Sequence, residues 1–120
     1  MFFPSARKPL TKLFSSSRAT HRSFFALHYL VDTDDSAASA LALVKKLEDN
    51  KKTILGKEYL QAAGTVADRN AIAATSEVYQ DYLEEIENAW ADHKFLENKR
   101  ATEKIIIDVY RTVSANQRNG

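Results

Sequence analysis

Two apolar segments, one near each end of a charge-rich chain, do most to restrict the fold. "FFALHYLV" (Phe24–Val31) is aromatic and β-branched, eight residues long, and stops at the turn-prone "DTDD". Its length and composition favour a buried strand over a helix. "EKIIIDVYRTV" carries three isoleucines in a row, then valine, tyrosine and valine, and favours a closing strand. In that strand Ile105, Ile107 and Val109 face one way and Ile106, Asp108 and Tyr110 the other. A helix is the alternative for this segment, because Ile105, Val109 and Val113 repeat every four residues.

Between them the pattern is mixed. Asp34, Asp35 or Ser36 can cap a helix over Ser36–Asn50, with Ala37, Ala40, Leu41, Val44, Leu47 and Glu48 on one stripe. "NKK" ends it in a solvated turn. Tyr59–Ala63 reads as a short strand, with Gly64 a bulge or a close backbone approach. "NAIAAT" reads as another short strand, although its alanines argue against it. Thr75 or Ser76 caps a second helix, with Glu77 early, where an acid suits the positive helix end. Val78, Tyr82, Ile86, Ala89, Trp90 and His93 share its face.

This order predicts a βαββαβ, ferredoxin-like α+β layer, one small domain over residues 24–113 followed by a polar tail at 114–120. A single layer leaves one sheet face bare, and a second copy covering it makes a dimer. The rival fold is an all-α hairpin with one very long helix from Thr75 to Asn116. A chain of 120 residues accommodates one domain with a modest core.

Charge divides the chain differently. The five basic residues before Asp32 (Arg7, Lys8, Lys12, Arg18, Arg22) have no acid among them. All 16 acids lie from Asp32 onward with the other 12 basic residues, so the two parts carry +5 and −4. Residues 1–23, Arg-rich, Ser-rich and acid-free, have the pattern of a mitochondrial transit peptide. Pro4 and Pro9 confine its amphipathic helix to roughly residues 9–18. The ending "HRSFF" resembles a processing-peptidase site and puts the cut near Ser23 to Phe25. A matrix location follows. "SFFALHYLV" is about half of what a membrane span needs, and a net −4 after the leader argues against nucleic acid.

The element order and some local wording resemble the YciI-like (YCII-related) family of dimeric α+β barrel proteins, over residues 24–111. The residues concerned are "FFALHY" with the acidic turn "VDTDD", the helix "ALALVKKL", then Gly56, Leu60, Ala63, Gly64 and Asp68 in "GKEYLQAAGTVAD". A second helix from Ser76 and the strand "KIIIDVYR" complete it. The resemblance implies a homodimer that binds or acts on a small molecule in a cleft between sheet and partner. The chain departs from the family's pattern in having no histidine on the first helix, no glycine at "NAIAA", and no aspartate–proline after the second helix.

His28 and Asp32 form the local His–Asp pair, a candidate general base. On a strand they lie about 13 Å apart, so contact needs a turn at Thr33 or a second subunit. The competing reading of His28 is a core histidine satisfied by a backbone carbonyl. Gly64 and Asp68 mark the candidate ligand-binding turn. Asp92 and His93 point in different directions on a helix. "DTDDSAASALAL" begins like a calcium loop but has no glycine at its turn and Leu43 where a glutamate belongs. With no cysteine and neither a P-loop nor a dinucleotide fingerprint, no metal and no cofactor are implied. Trp90, Tyr79, Tyr82 and Tyr110 read as core before they read as a binding platform. Two functions compete. One is the small-molecule protein just described, with catalysis left open. The other is a non-catalytic accessory or assembly subunit of a large mitochondrial complex such as ATP synthase or a respiratory-chain complex.

Overall fold

The computed structural model describes residues 17–119, which form three helices and, among them, no strand. Helix α1 runs Ser17–Gln61, α2 Val66–Thr75 and α3 Glu77–Asn119. The ferredoxin-like layer and the α+β barrel are therefore overturned, and with them the cleft between sheet and partner. The fold is all-helical. The rival reading, with its long helix from Thr75 to Asn116, lies close to the observed α3.

Both expected end strands are helical for one reason. Burial along each follows a helical period. In α1 the inward residues of the first segment are Ala19, Arg22, Ser23, Ala26 and Leu30, while Phe24, Phe25, Leu27 and Val31 point outward. In α3 the inward run is Glu103, Ile106, Ile107, Tyr110 and Val113, while Ile105 is 61 % exposed. Steps of three and four are those of paired helices. The helix-propensity deficit of β-branched residues is only a few tenths of a kcal/mol each, roughly. Tertiary contacts outweigh it.

The chain separates into two compact units. In the first, residues 17–35 of α1 lie antiparallel to residues 97–119 of α3, as the pairings Thr20–Tyr110, Arg22–Glu103 and Thr33–Arg100 require. Ala19 and Ala26, 2 % and 0 % exposed, sit against the opposing helix. Small side chains there let two backbones approach closely.

The second unit, Ser36–Leu96, holds the remainder of α1, all of α2 and the start of α3. Its core is Val44, Leu47, Ile86 and Ala89, with Tyr82 and Leu83 packed against it. The Tyr82 hydroxyl donates to the Leu47 carbonyl at 2.6 Å. Desolvation of the phenol, then Glu85 and Glu48, raise its pKa above the ordinary tyrosine value. The expected inward stripes are met in part. Val44, Leu47, Tyr82, Ile86 and Ala89 turn inward, whereas Leu41, Val78 and Trp90 stay outside. No turn forms at "NKK", and "NAIAAT" lies within α2.

Ser76 is the single residue between α2 and α3. Its hydroxyl donates to the Ala73 carbonyl at 2.9 Å and accepts from the Tyr79 N–H at 3.2 Å. It thus closes one helix and caps the next. Among the described residues no helix is long and apolar enough to cross a membrane.

Candidate functional site

The most organised polar cluster lies in the first unit. Glu103 stands on the inward face of α3 and is 1 % exposed. A carboxylate there needs a partner, since burying an unpaired charge costs several kcal/mol, roughly. Arg22, on the inward face of α1, supplies it with two parallel hydrogen bonds of 2.6 and 3.0 Å. Lys99, one turn earlier on α3, adds its ammonium at 3.8 Å. The hydrogen bond from Arg22 is the main cause holding the Glu103 carboxyl below the usual glutamate range, and burial opposes it. The same bond pushes the Arg22 guanidinium above its ordinary value.

One turn before Glu103, Arg100 makes a second clamp. Its guanidinium donates to the Leu30 carbonyl at 2.8 Å, the Thr33 hydroxyl at 2.7 Å and the Asp34 carboxylate at 3.1 Å. Thr33 in turn donates to the Tyr29 carbonyl at 2.7 Å. The hydroxyls of Thr20 and Tyr110 meet at 3.0 Å near the other end of the pair. These contacts specify the register of two helices whose alanine seam alone has little shape to specify it. Chemically, Glu103 is an acceptor already engaged by its arginine, a structural lock rather than a base awaiting a proton.

The comparisons with known proteins add no name to this geometry. No protein-family model, curated protein or solved structure matches the chain.

The residues singled out from the sequence fall elsewhere. Helix formation brings His28 and Asp32 together without any turn, one above the other on α1, with 3.9 Å between Nδ1 and Oδ2. Their side chains are 80 % and 72 % exposed, so the pair stands in open solvent. An exposed i,i+4 pair of this kind contributes little, and is an ion pair only when the imidazole is protonated.

Gly64 and Asp68 belong to the start of α2. Thr65 is its N-cap, its hydroxyl accepting from the Asp68 N–H at 3.2 Å, while the Asp68 carboxylate accepts from the Thr65 N–H at 3.3 Å. This reciprocal capping box satisfies two backbone donors. Gly64 precedes it with φ +116°, and a Cβ there would lie 3.0 Å from the Asp68 side chain. The strand expected at Tyr59–Ala63 does not form, and what requires glycine at position 64 is its positive φ beside the cap. Arg69 ties the corner down, donating to the Ala62 carbonyl at 3.0 Å and lying 4.8 Å over the Tyr59 ring. Asp68→Ala is expected to cost about 1 kcal/mol through loss of the cap. Gly64→Ala is expected to cost about 1–3 kcal/mol through backbone strain. Thermal unfolding of the two variants measures both.

The aromatic residues serve packing and pairing. Trp90 donates to Glu48 at 3.2 Å and meets the His93 ring edge-on at 5.8 Å between centroids. Among the described residues no cluster of three or more His, Cys, Asp or Glu could hold a metal ion. Sequence reasoning missed Arg22, Thr33, Arg100 and Glu103. Their partners are 66 to 81 residues away, which no local spacing reveals. The capping box was detectable, as threonine followed three residues later by an acid ahead of an apolar run.

The expected leader divides at Ser17. Residues 1–16, including most of its amphipathic helix, lie outside the described residues. Residues 17–23 begin α1 and contribute Ala19, Thr20 and Arg22 to the first unit. A cut near Ser23 to Phe25 would remove the arginine that neutralises Glu103.

Proposed function

We propose that this protein is a non-catalytic helical accessory or assembly subunit of a larger mitochondrial complex. The observation that carries the reading is an inversion of side-chain size in α1. Alanines 19 and 26 are buried, whereas Phe24 (62 %), Phe25 (57 %), Leu27 (51 %) and Val31 (68 %) are exposed. The second unit buries Val44, Leu47 and Ile86 yet also keeps Leu60, Val66, Ile72 and Val78 outward, on all three helices. Exposed large apolar residues in such number are what a subunit keeps for its neighbours. The acid-free, Arg- and Ser-rich first residues support the mitochondrial location.

Native-gel separation of mitochondria from the source organism, with mass spectrometry of each band, tests the proposal. The chain is expected to co-migrate with an assembly many times its own 13.5 kDa. Migration as a free monomer or dimer, or recovery outside mitochondria, would overturn it. The same spectra report the first residue of the processed chain. Ser17 and the residues after it are expected to be retained, because Arg22 and Thr20 are partners within the folded first unit.

A further inference from the structure

We propose that the acid-free end of the first unit docks on an anionic lipid surface. Residues 1–31 contain no carboxylate, and neither do residues 109–120. The net −4 of the chain from Asp32 onward conceals the second of these stretches. The antiparallel pairing of α1 with α3 brings their described parts to the same end of one unit, since Thr20 meets Tyr110.

Cations and apolar groups are interleaved there. Phe24, Leu27, Ile107 and Arg111 line a single groove between the helices. Arg111 and Arg118 line the adjoining surface of α3, and Arg18 lies beside Phe25 on α1. Arg22 is neutralised by Glu103, and Arg111 has only an exposed contact of 3.9 Å with Asp108. Arg18 and Arg118 face no carboxylate among the described residues. Apolar side chains that enter the headgroup layer, ringed by arginines that meet lipid phosphates, are how a helix lies on an anionic membrane. A nucleic acid would use the same arginines but gains nothing from leucine and phenylalanine on a solvent-facing stripe. This inference assigns Phe24 and Leu27 to the lipid and leaves Phe25, Val31 and the outward apolar residues of the second unit to protein neighbours.

Sedimentation of the full chain with vesicles tests it. Binding is expected to vesicles of phosphatidylcholine mixed with phosphatidylserine, not to phosphatidylcholine alone, and to weaken with salt. Replacing Arg18, Arg111 and Arg118 by Gln should reduce affinity about fivefold for each and about a hundredfold together. Phe24→Ser with Leu27→Ser should abolish binding even at low salt. All five side chains are exposed, so the helical circular dichroism of every variant should match that of the parent. Three results would overturn the proposal. One is equal binding to neutral vesicles, or none to either. A second is undiminished binding by the arginine triple variant. The third is RNA binding as tight as lipid binding and indifferent to the Phe24 and Leu27 changes. Because no mitochondrial partner takes part, failure here is separable from failure of co-migration on the native gel.

Discussion

Arg22→Ala is expected to destabilise the first unit by about 3 kcal/mol, a large share of a small domain's stability. Truncation strips the Glu103 carboxylate, 1 % exposed in the intact chain, of both arginine hydrogen bonds and leaves it only the Lys99 ammonium at 3.8 Å. The Arg22 side chain is itself 38 % exposed, so water can reach part of the gap, which keeps the effect near the lower end for a broken buried pair. Replacing both residues, Arg22→Leu with Glu103→Leu, is expected to fall within about 1 kcal/mol of the parent, because no charge is then stranded. Chemical denaturation of Arg22→Leu, Glu103→Leu and the double variant gives the coupling energy. Additive single effects would mean that the pair is not interacting as its geometry implies.

The same pair makes stability depend on acid. Glu103 titrates lower in the folded chain than in the unfolded one, chiefly because Arg22 hydrogen-bonds its charged form. Its contribution is therefore complete above the unfolded glutamate value of about 4.3 and is lost as pH falls through the depressed folded value. In Arg22→Ala this acid limb is expected to disappear, so the difference in stability between parent and variant narrows as pH falls through the glutamate range. An unchanged acid limb would remove the pair as its cause.

Leu47→Ala is expected to cost about 2–5 kcal/mol. Leu47 is 7 % exposed in a core of four buried residues, and few neighbours are available to collapse into the space. Its backbone carbonyl also receives the Tyr82 hydroxyl, so a shift of α1 at this point would loosen that bond. Leu43→Ala and Leu60→Ala provide the contrast. These side chains are 48 % and 73 % exposed, and each change should stay within about 0.5 kcal/mol. Hydrogen exchange should place the Leu47→Ala loss in residues 36–96. Similar losses for Leu43 and Leu60 would show that those leucines are covered in solution, by self-association or otherwise.

The middle of the chain was more legible than its ends. The helical character of Ser36–Asn50 follows from apolar spacing and the helix start at Ser76 from its cap, both local, whereas Asp34, Asp35 and Ser36 lie inside α1 and cap nothing. Phe24–Val31 and Ile105–Val113 were misread because a short apolar run carries no period that separates strand from helix. Composition then decided, and it favoured β. The chain does the reverse of what composition suggests, turning Ala26 inward and Phe24 and Phe25 outward. The candidate site suffered in the same way. His28 and Asp32 become neighbours once the segment is helical, yet on the solvent side. Gly64 and Asp68 are tied together by the start of a helix.

By itself the sequence determined the charge division at Asp32, the absence of thiol chemistry, the helix start at Ser76 and the helical character of Ser36–Asn50. Each of these depends on composition or on residues within one or two turns of one another. Only the tertiary structure decided which residues face inward along α1 and α3, that Glu103 is buried, and that Arg22 and Arg100 hold the two helices in register. It also brought the described parts of the two acid-free stretches to one end of the first unit. The physical reason is common to all of these. Burying Glu103 is tolerable only with Arg22 opposite, at a sequence separation of 81, and such a partnership exists only after the chain has folded back on itself.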